Sequence, residues 1–251
     1  MTELEALSLW EALFCALVVM TAFAVRGGAG FGGGAIAVPL LALVFPVQVT
    51  VPVVTALNML SSLGHGIADW RHIVWPAIWR IMPGSLLGVF AGLYALTLFD
   101  PRPLGKALGV FVVLYALYVM FFAGRQFRVP PRWQLPVAFS SSLAAGVVGS
   151  LFGGAAGPLY VIYLHSLDLA RDAFRVTITT VMLFQGLTRM AGYGALGFYD
   201  GHVLVLLAAA LPLMLAGQVF GTRLVRRFNP LWFGRAVGAV LLASGLALLL
   251  K

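Results

Sequence analysis

Gly27-Gly28-Ala29-Gly30-Phe31-Gly32-Gly33-Gly34 stands between two apolar runs, and Gly149-Ser150-Leu151-Phe152-Gly153-Gly154-Ala155-Ala156-Gly157-Pro158 stands between two more. Glycine weakens a helix by about 1 kcal/mol per residue relative to alanine, so both stretches are expected to unwind. The first recurs in the second: Gly28-x-x-Phe31-Gly32-Gly33 matches Gly149-x-x-Phe152-Gly153-Gly154 at an offset of 121 residues. Neither fits the phosphate loop or the dinucleotide fingerprint, which also need a preceding strand. The apolar runs that follow, 35–45 and 156–167, are too short to cross a hydrocarbon core.

The rest of the chain says what solvent surrounds these breaks. Hydrophobic residues make up 61% of it and charged residues only 10%, against about 25% charged in a soluble domain. The remaining apolar blocks are 8–25, 49–66, 73–98, 104–123, 135–148, 173–192, 203–224 and 231–250. Several approach or exceed the roughly 20 residues of a membrane crossing. The expected fold is therefore all-α and polytopic, with lipid as the solvent. The formal charge of +8 does not point to nucleic acid, because the basic residues lie between apolar blocks and form no patch interleaved with aromatics. Cys15, the single cysteine, excludes an internal disulfide and a multi-cysteine metal site. No cofactor is expected. Ala22-Phe23-Ala24 resembles a signal cleavage site, but Glu3, Glu5 and Glu11 stand where a signal peptide carries positive charge. The leading block is therefore read as the first membrane helix.

A second repeat supports two homologous halves, 1–128 and 129–251. Pro83, Gly88, Gly92, Asp100-Pro101, Gly105, Lys106 and Gly109 recur as Pro212, Gly217, Gly221, Asn229-Pro230, Gly234, Arg235 and Gly238, each 129 residues on. Loop charge then orients the halves. Arg125, Arg128 and Arg132 separate them, and Arg223, Arg226, Arg227 and Arg235 bracket the last connection. Both clusters fall on the cytoplasmic side only if each glycine-broken pair enters and leaves by one face. On that topology Arg71, Arg171 and Arg175 also lie inside, and Arg102, Lys106 and Lys251 lie outside. The second half is inverted relative to the first. Each half holds one re-entrant or discontinuous helix pair and three spanning helices, a secondary-transporter plan. A duplicated structural bundle without transport is the plainer alternative.

Non-helical backbone cannot face lipid, because its polar groups would go unsatisfied. The amides of Gly30, Gly32, Gly33, Gly34, Gly153, Gly154 and Gly157 are therefore expected in protein or at an aqueous cavity. The short helices that follow aim their N-termini at the breaks, which favours an anion there. Arg26 directly precedes the first break, and Arg189 lies in a later block beside Gln185 and Thr188. Arginine within a membrane segment costs about 2.5 kcal/mol or more, so each either holds substrate charge or snorkels to a headgroup. Asn58 and Gln185 occupy corresponding segments and either hydrogen-bond substrate or join helices. Gly88, Gly92, Gly217 and Gly221 read as packing glycines, and Arg80 as a snorkelling cation. His65, Asp69, His72, His165 and Asp168 are the candidates for proton coupling, most of them at segment ends. There is no His-Glu-x-x-His zinc motif, no Gly-x-Ser-x-Gly elbow and no ATP-hydrolysing module, so an enzyme is not expected.

At these residues the chain resembles the TauE/SafE family, the toluene sulfonate uptake permeases. The resemblance rests on Gly30-Phe31-Gly32-Gly33-Gly34-x-x-x-x-Pro39-Leu40-Leu41, on its echo Gly149-Ser150-Leu151-Phe152-Gly153-Gly154-x-x-x-Pro158-Leu159, and on the Pro-x-x-x-x-Gly-x-x-x-Gly segments. It implies a multi-pass protein of the inner (plasma) membrane that transports sulfur-containing anions such as sulfite, sulfoacetate or other organosulfonates. The reading is a secondary transporter, taken as an exporter, working by alternating access. Its partners are a small anion and the bilayer, with proton or ion coupling left open and no signal for an oligomeric state. An anion channel and a membrane accessory subunit without transport of its own remain as alternatives.

Overall fold

The computed structural model describes residues 8–29, 32–66, 70–122, 129–153, 156–224 and 230–251. Gly30, Phe31, Asp69, Arg125, Arg128, Gly154, Ala155, Arg226, Arg227 and Asn229 lie outside them, as do the side chains of His65, Arg171 and Arg235. Among the described residues there are ten α-helices and no strand: α1 (Leu9–Ala29), α2 (Gly33–Leu41), α3 (Val47–Gly66), α4 (Trp75–Leu98), α5 (Pro101–Phe122), α6 (Gln134–Phe152), α7 (Gly157–His165), α8 (Arg171–Ala195), α9 (Gly201–Leu224) and α10 (Pro230–Leu250). Every apolar block becomes one helix. Among the described residues, five helices are long and apolar enough to cross a membrane, within 9–27, 75–98, 101–121, 131–152 and 201–223. The 24 residues of α4 span about 36 Å.

Local chemistry sets the helix starts. Ser8 and Glu11 form a capping box at the head of α1: Ser8 N–H and Oγ donate to Glu11 Oε2 at 2.9 and 2.8 Å, and Glu11 N–H donates to Ser8 Oγ at 3.3 Å. Asp200 Oδ1 accepts the Val203 N–H at 2.9 Å and caps α9. Proline opens α5 and α10, where its missing N–H leaves nothing unsatisfied.

The breaks are tighter than the glycine runs suggest. Gly27 and Gly28 stay helical at the end of α1, and Gly33 and Gly34 already belong to α2. Gly32 takes φ 95°, and Gly153 takes φ 56° after α6, backbone that glycine adopts without the Cβ penalty. A side chain on Gly153 would also sit 2.9 Å from Val38 Cγ2, so the second break packs directly on α2. Gly27 is glycine for a different reason: a Cβ there would meet the Gln218 carbonyl oxygen at 2.5 Å. It is a contact glycine.

The short helices α2 and α7 have nine residues each, about 14 Å, and each turns back along the helix before it. The end of α2 lies beside the start of α1, where Ala12, Cys15, Leu41, Phe45, Val49 and Leu206 surround one pocket. Lys251 Nζ donates to Leu43 O at 3.0 Å, and Gln48 Nε2 to Phe99 O at 3.3 Å. The starts of α3, α5 and α9 and the ends of α4 and α10 therefore share this end of the bundle. At the other end, Gln134 Nε2 reaches Ser166 O at 3.4 Å, returning α7 to the start of α6. Val74 N–H donates to Thr177 Oγ1 at 3.0 Å, which places the starts of α4 and α8 there too.

Helix packing pairs distant parts of the chain: α1 on α9, α4 on α6, α5 on α10 and α3 on α8. Glycine makes the first two possible. A Cβ on Gly217 or Gly221 would collide with the carbonyl oxygen of Met20 or Ala24, and one on Gly88 with that of Leu143. Small residues at these crossings let backbones touch, the role expected of them. Leu87, Phe90, Tyr94, Leu114, Phe121, Leu215 and Phe220 are exposed on the outside, the apolar girdle that lipid requires. Trp75, Trp79 and Trp133 are exposed near the starts of α4 and α6, as in the aromatic belt of a membrane interface.

Candidate functional site

Polar groups that do not face the girdle collect in the middle. The most polar long helix, α8, buries Thr177, Thr179, Thr180, Gln185 and Arg189, and α3 buries Thr50, Thr55, Asn58, Ser61 and Ser62. The two helices pack on each other and turn these faces inward.

Arg26, in the last turn of α1, is only 6% exposed, so it does not snorkel. The turn before the break aims it at α3. Its Nε donates to Ser61 Oγ at 3.0 Å, and its Nη2 donates to Asn58 O at 3.0 Å and Ser62 Oγ at 2.6 Å. The acceptors are held in turn. Ser62 Oγ donates to Asn58 O at 2.8 Å, and Ser61 Oγ donates to Gln218 Oε1 of α9 at 2.7 Å. Arg189 of α8 is 5% exposed. Its Nε donates to Gln185 O at 3.3 Å, and its Nη1 to Gly149 O in the last turn of α6. A Cβ on Gly149 would lie 2.8 Å from that Nη1, so glycine opens the approach. Tyr193 OH donates to Ser150 O at 2.6 Å, fastening α8 to the same turn.

Arg26 and Arg189 line one cavity with Asn58, Ser62, Gly157, Tyr160 and Gln185, flanked by Met59 and Met182. Its volume is about 20 Å³, room for about one water. Gln185 Nε2 donates to Ser85 Oγ, which lies 3.3 Å from Tyr160 OH. Asn58 is different: its side chain is buried, and neither Oδ1 nor Nδ2 has a hydrogen-bond partner among the described residues. A buried amide left unpaired is destabilising by about 1–3 kcal/mol.

Among the described residues, every hydrogen-bond partner of the two arginines is a neutral oxygen. The described carboxylates, Glu11, Asp100, Asp168, Asp172 and Asp200, are all exposed at helix ends. The cavity thus holds two buried cations and, among the described residues, no anion. Burying charge is tolerated when it is paired. An oxyanion would neutralise the cations and accept from Asn58 Nδ2 at once.

The structure brings together Arg26, Asn58, Gly157, Gln185 and Arg189 of the residues singled out in the sequence. At the start of α2, Gly33 stands against the aliphatic stem of Arg26, where a Cβ would be 3.1 Å from Arg26 Cβ, and Gly34 is buried. Gly32, Gly33 and Gly34 are not in the cavity wall, and Gly153 faces Val38 and Val51 instead. Gly30 and Gly154 lie outside the described residues. The proton-coupling candidates His72, His165 and Asp168 are exposed at helix ends, and Arg80 is exposed on α4. Sequence reading passed over Ser61, Ser62, Tyr160 and Gln218. The first two had a signal, since they follow Asn58 by one turn.

Fold and site together define a polytopic helical membrane protein with a cationic cavity at its centre. The chain belongs to the sulfite exporter TauE/SafE family, whose model matches residues 15–248. It is similar to the "Probable inner membrane transporter protein TsaS" of Comamonas testosteroni, 29% identical over 196 residues that cover 78% of this chain and 80% of that protein. No solved structure matches it. The chain is a multi-pass inner-membrane protein of a transporter family, and nothing in those names describes an enzyme.

Proposed function

We propose that the chain is a secondary transporter that exports a small sulfur oxyanion, such as sulfite or an organosulfonate, by alternating access around the Arg26–Arg189 cavity. The observation that carries this reading is a cavity lined by the unpaired Asn58 and by two buried cations whose hydrogen-bond partners among the described residues are all neutral. The sulfur anion comes from the family's name, and a sulfite or sulfonate group suits the site because it offers three oxygens to several fixed donors. Gly157 adds the N-terminal end of α7, where dipole and amides favour an anion.

The mechanism rests on two further proposals. The halves 1–128 and 129–251 are inverted copies, a reading supported by the swapped packing of α1 on α9 and α4 on α6. It is also supported by re-entrant pairs that open at opposite ends of the bundle. Rocking of such halves about a midplane site exposes it to one side at a time. A cavity of only about 20 Å³ supports a carrier over an open pore, because a three-oxygen anion enters only when the walls move. Met59 and Met182, unbranched and flexible, are the walls best able to yield.

Purified protein in liposomes loaded with sulfite tests the reading. It is expected to release sulfite at a saturable rate without any second protein. Non-saturable flux would argue for a channel, and no flux of any sulfur anion would reject transport by this chain alone.

A further inference from the structure

We propose that the cavity is built for an anion bearing two negative charges, with Arg26 and Arg189 each matched to one of them. The inference rests on the transport site proposed above and narrows its ligand.

The hydrogen bonds show what each cation has left to give. Arg26 spends Nε and Nη2 on α3, and Arg189 spends Nε and Nη1 on Gln185 and on the end of α6. Among the described residues, Arg26 Nη1 and Arg189 Nη2 have no partner, and both residues line the cavity. Asn58, Ser62, Gln185, Tyr160 and Gly157 complete its polar wall, and all are neutral. A monoanion therefore neutralises one cation and leaves the other buried without a counter-charge. Leaving one member of a buried pair uncompensated is the strongly unfavourable outcome. A dianion leaves neither.

The two arginines are also not copies of each other. The offset of 127 residues that relates Asn58 to Gln185 carries Arg189 back to Ser62, and the offset of 121 carries Arg26 forward to Val147. One half supplies its cation from α1 and the other from α8, so the wall is two-sided in charge although the repeat did not place it so. Arg26 with Asn58 takes one anionic group. Arg189 with the start of α7 takes the other, and the ligand bridges the two halves.

Two organosulfonates of similar size separate one charge from two. Sulfoacetate carries a sulfonate and a carboxylate, and 2-hydroxyethanesulfonate replaces the carboxylate with a neutral alcohol. Isothermal titration of the full chain in nanodiscs is expected to give at least about tenfold tighter binding of sulfoacetate. Arg26→Gln and Arg189→Gln should each shrink that preference severalfold, while Arg189→Lys keeps it. If a glutamine variant does not fold, wild type and Arg189→Lys still decide the matter. Equal affinities for the two sulfonates, or an undiminished preference in folded Arg26→Gln and Arg189→Gln, would overturn the two-charge assignment and leave the transport site standing. Binding of neither, together with no flux of any sulfur anion, would remove the site itself and this inference with it.

Discussion

Arg26→Leu is expected to abolish sulfur-anion flux while leaving the protein at least as stable as wild type. The two halves of that result come from the same physics. A buried guanidinium without a counter-charge is a burden on the fold, costing about 2.5 kcal/mol or more within a membrane segment, and an apolar replacement of similar bulk removes it. Little is orphaned by the change, because Ser62 Oγ keeps its bond to Asn58 O and Ser61 Oγ its bond to Gln218 Oε1. Substrate, however, loses a desolvated charge pair, a loss of about 2–5 kcal/mol, or roughly 30-fold and upward in affinity. Flux in liposomes at low anion concentration and a thermal melt of the same preparation check both halves. A large fall in melting temperature would mean that Arg26 is a structural brace between α1 and α3. Unchanged flux would mean that it does not touch substrate.

Gly221→Leu is expected to have the opposite character, with the fold failing first. A Cβ at Gly221 meets the Ala24 carbonyl oxygen, and the neighbouring glycines Gly217 and Gly27 also make close backbone contacts at the same crossing. Helix α9 cannot keep its distance from α1 once any side chain stands there. Overpacking of a tight core commonly costs 1–3 kcal/mol, and a clash with backbone falls at about 3 kcal/mol or above. Size-exclusion profiles after heating should show Gly221→Leu largely aggregated. Gly105→Leu, at a position with nothing within 4 Å, should behave like wild type. If both variants are equally stable, the α1–α9 crossing is looser than described. The crossing also matters to the site, since Arg26 rides on the last turn of α1 and its acceptor Ser61 is tied to Gln218 on α9.

Much of this was legible in the sequence because lipid imposes simple rules. Apolar length gave all ten helices, and glycine density located both breaks. What the sequence hid was how far each break extends. Gly27 reads as a helix breaker, yet it stays helical and is a packing residue: only a residue without a side chain lets the Gln218 backbone approach. That contact joins positions 191 residues apart in the chain, and no local pattern announces it. The site divides in the same way. Arg26 and Arg189 were conspicuous as ionisable residues in apolar blocks, and Asn58 and Gln185 as matched amides. Whether the arginines snorkel or turn inward depends on which neighbours wall them off, and burial by α3, α6 and α8 decides it. Ser61, Ser62, Tyr160 and Gln218 are ordinary small or polar residues in sequence and acquire meaning only when packing points them at a cation. Conversely, Gly32, Gly33 and Gly34 looked like the site itself, but none of them lines the cavity, and Gly33 stands against the stem of Arg26, where it lets α2 return closely along α1.

Arg26, Asn58 and Arg189 are proposed to surround the transported anion. Selenite has the charge and three-oxygen geometry of sulfite with a heavier central atom, so a structure determined with it by anomalous diffraction locates the anion without ambiguity. One strong selenium peak is expected between the two guanidinium groups, within hydrogen-bond reach of Asn58 Nδ2. A peak elsewhere in the bundle, or an empty cavity under conditions where selenite is transported, would contradict it.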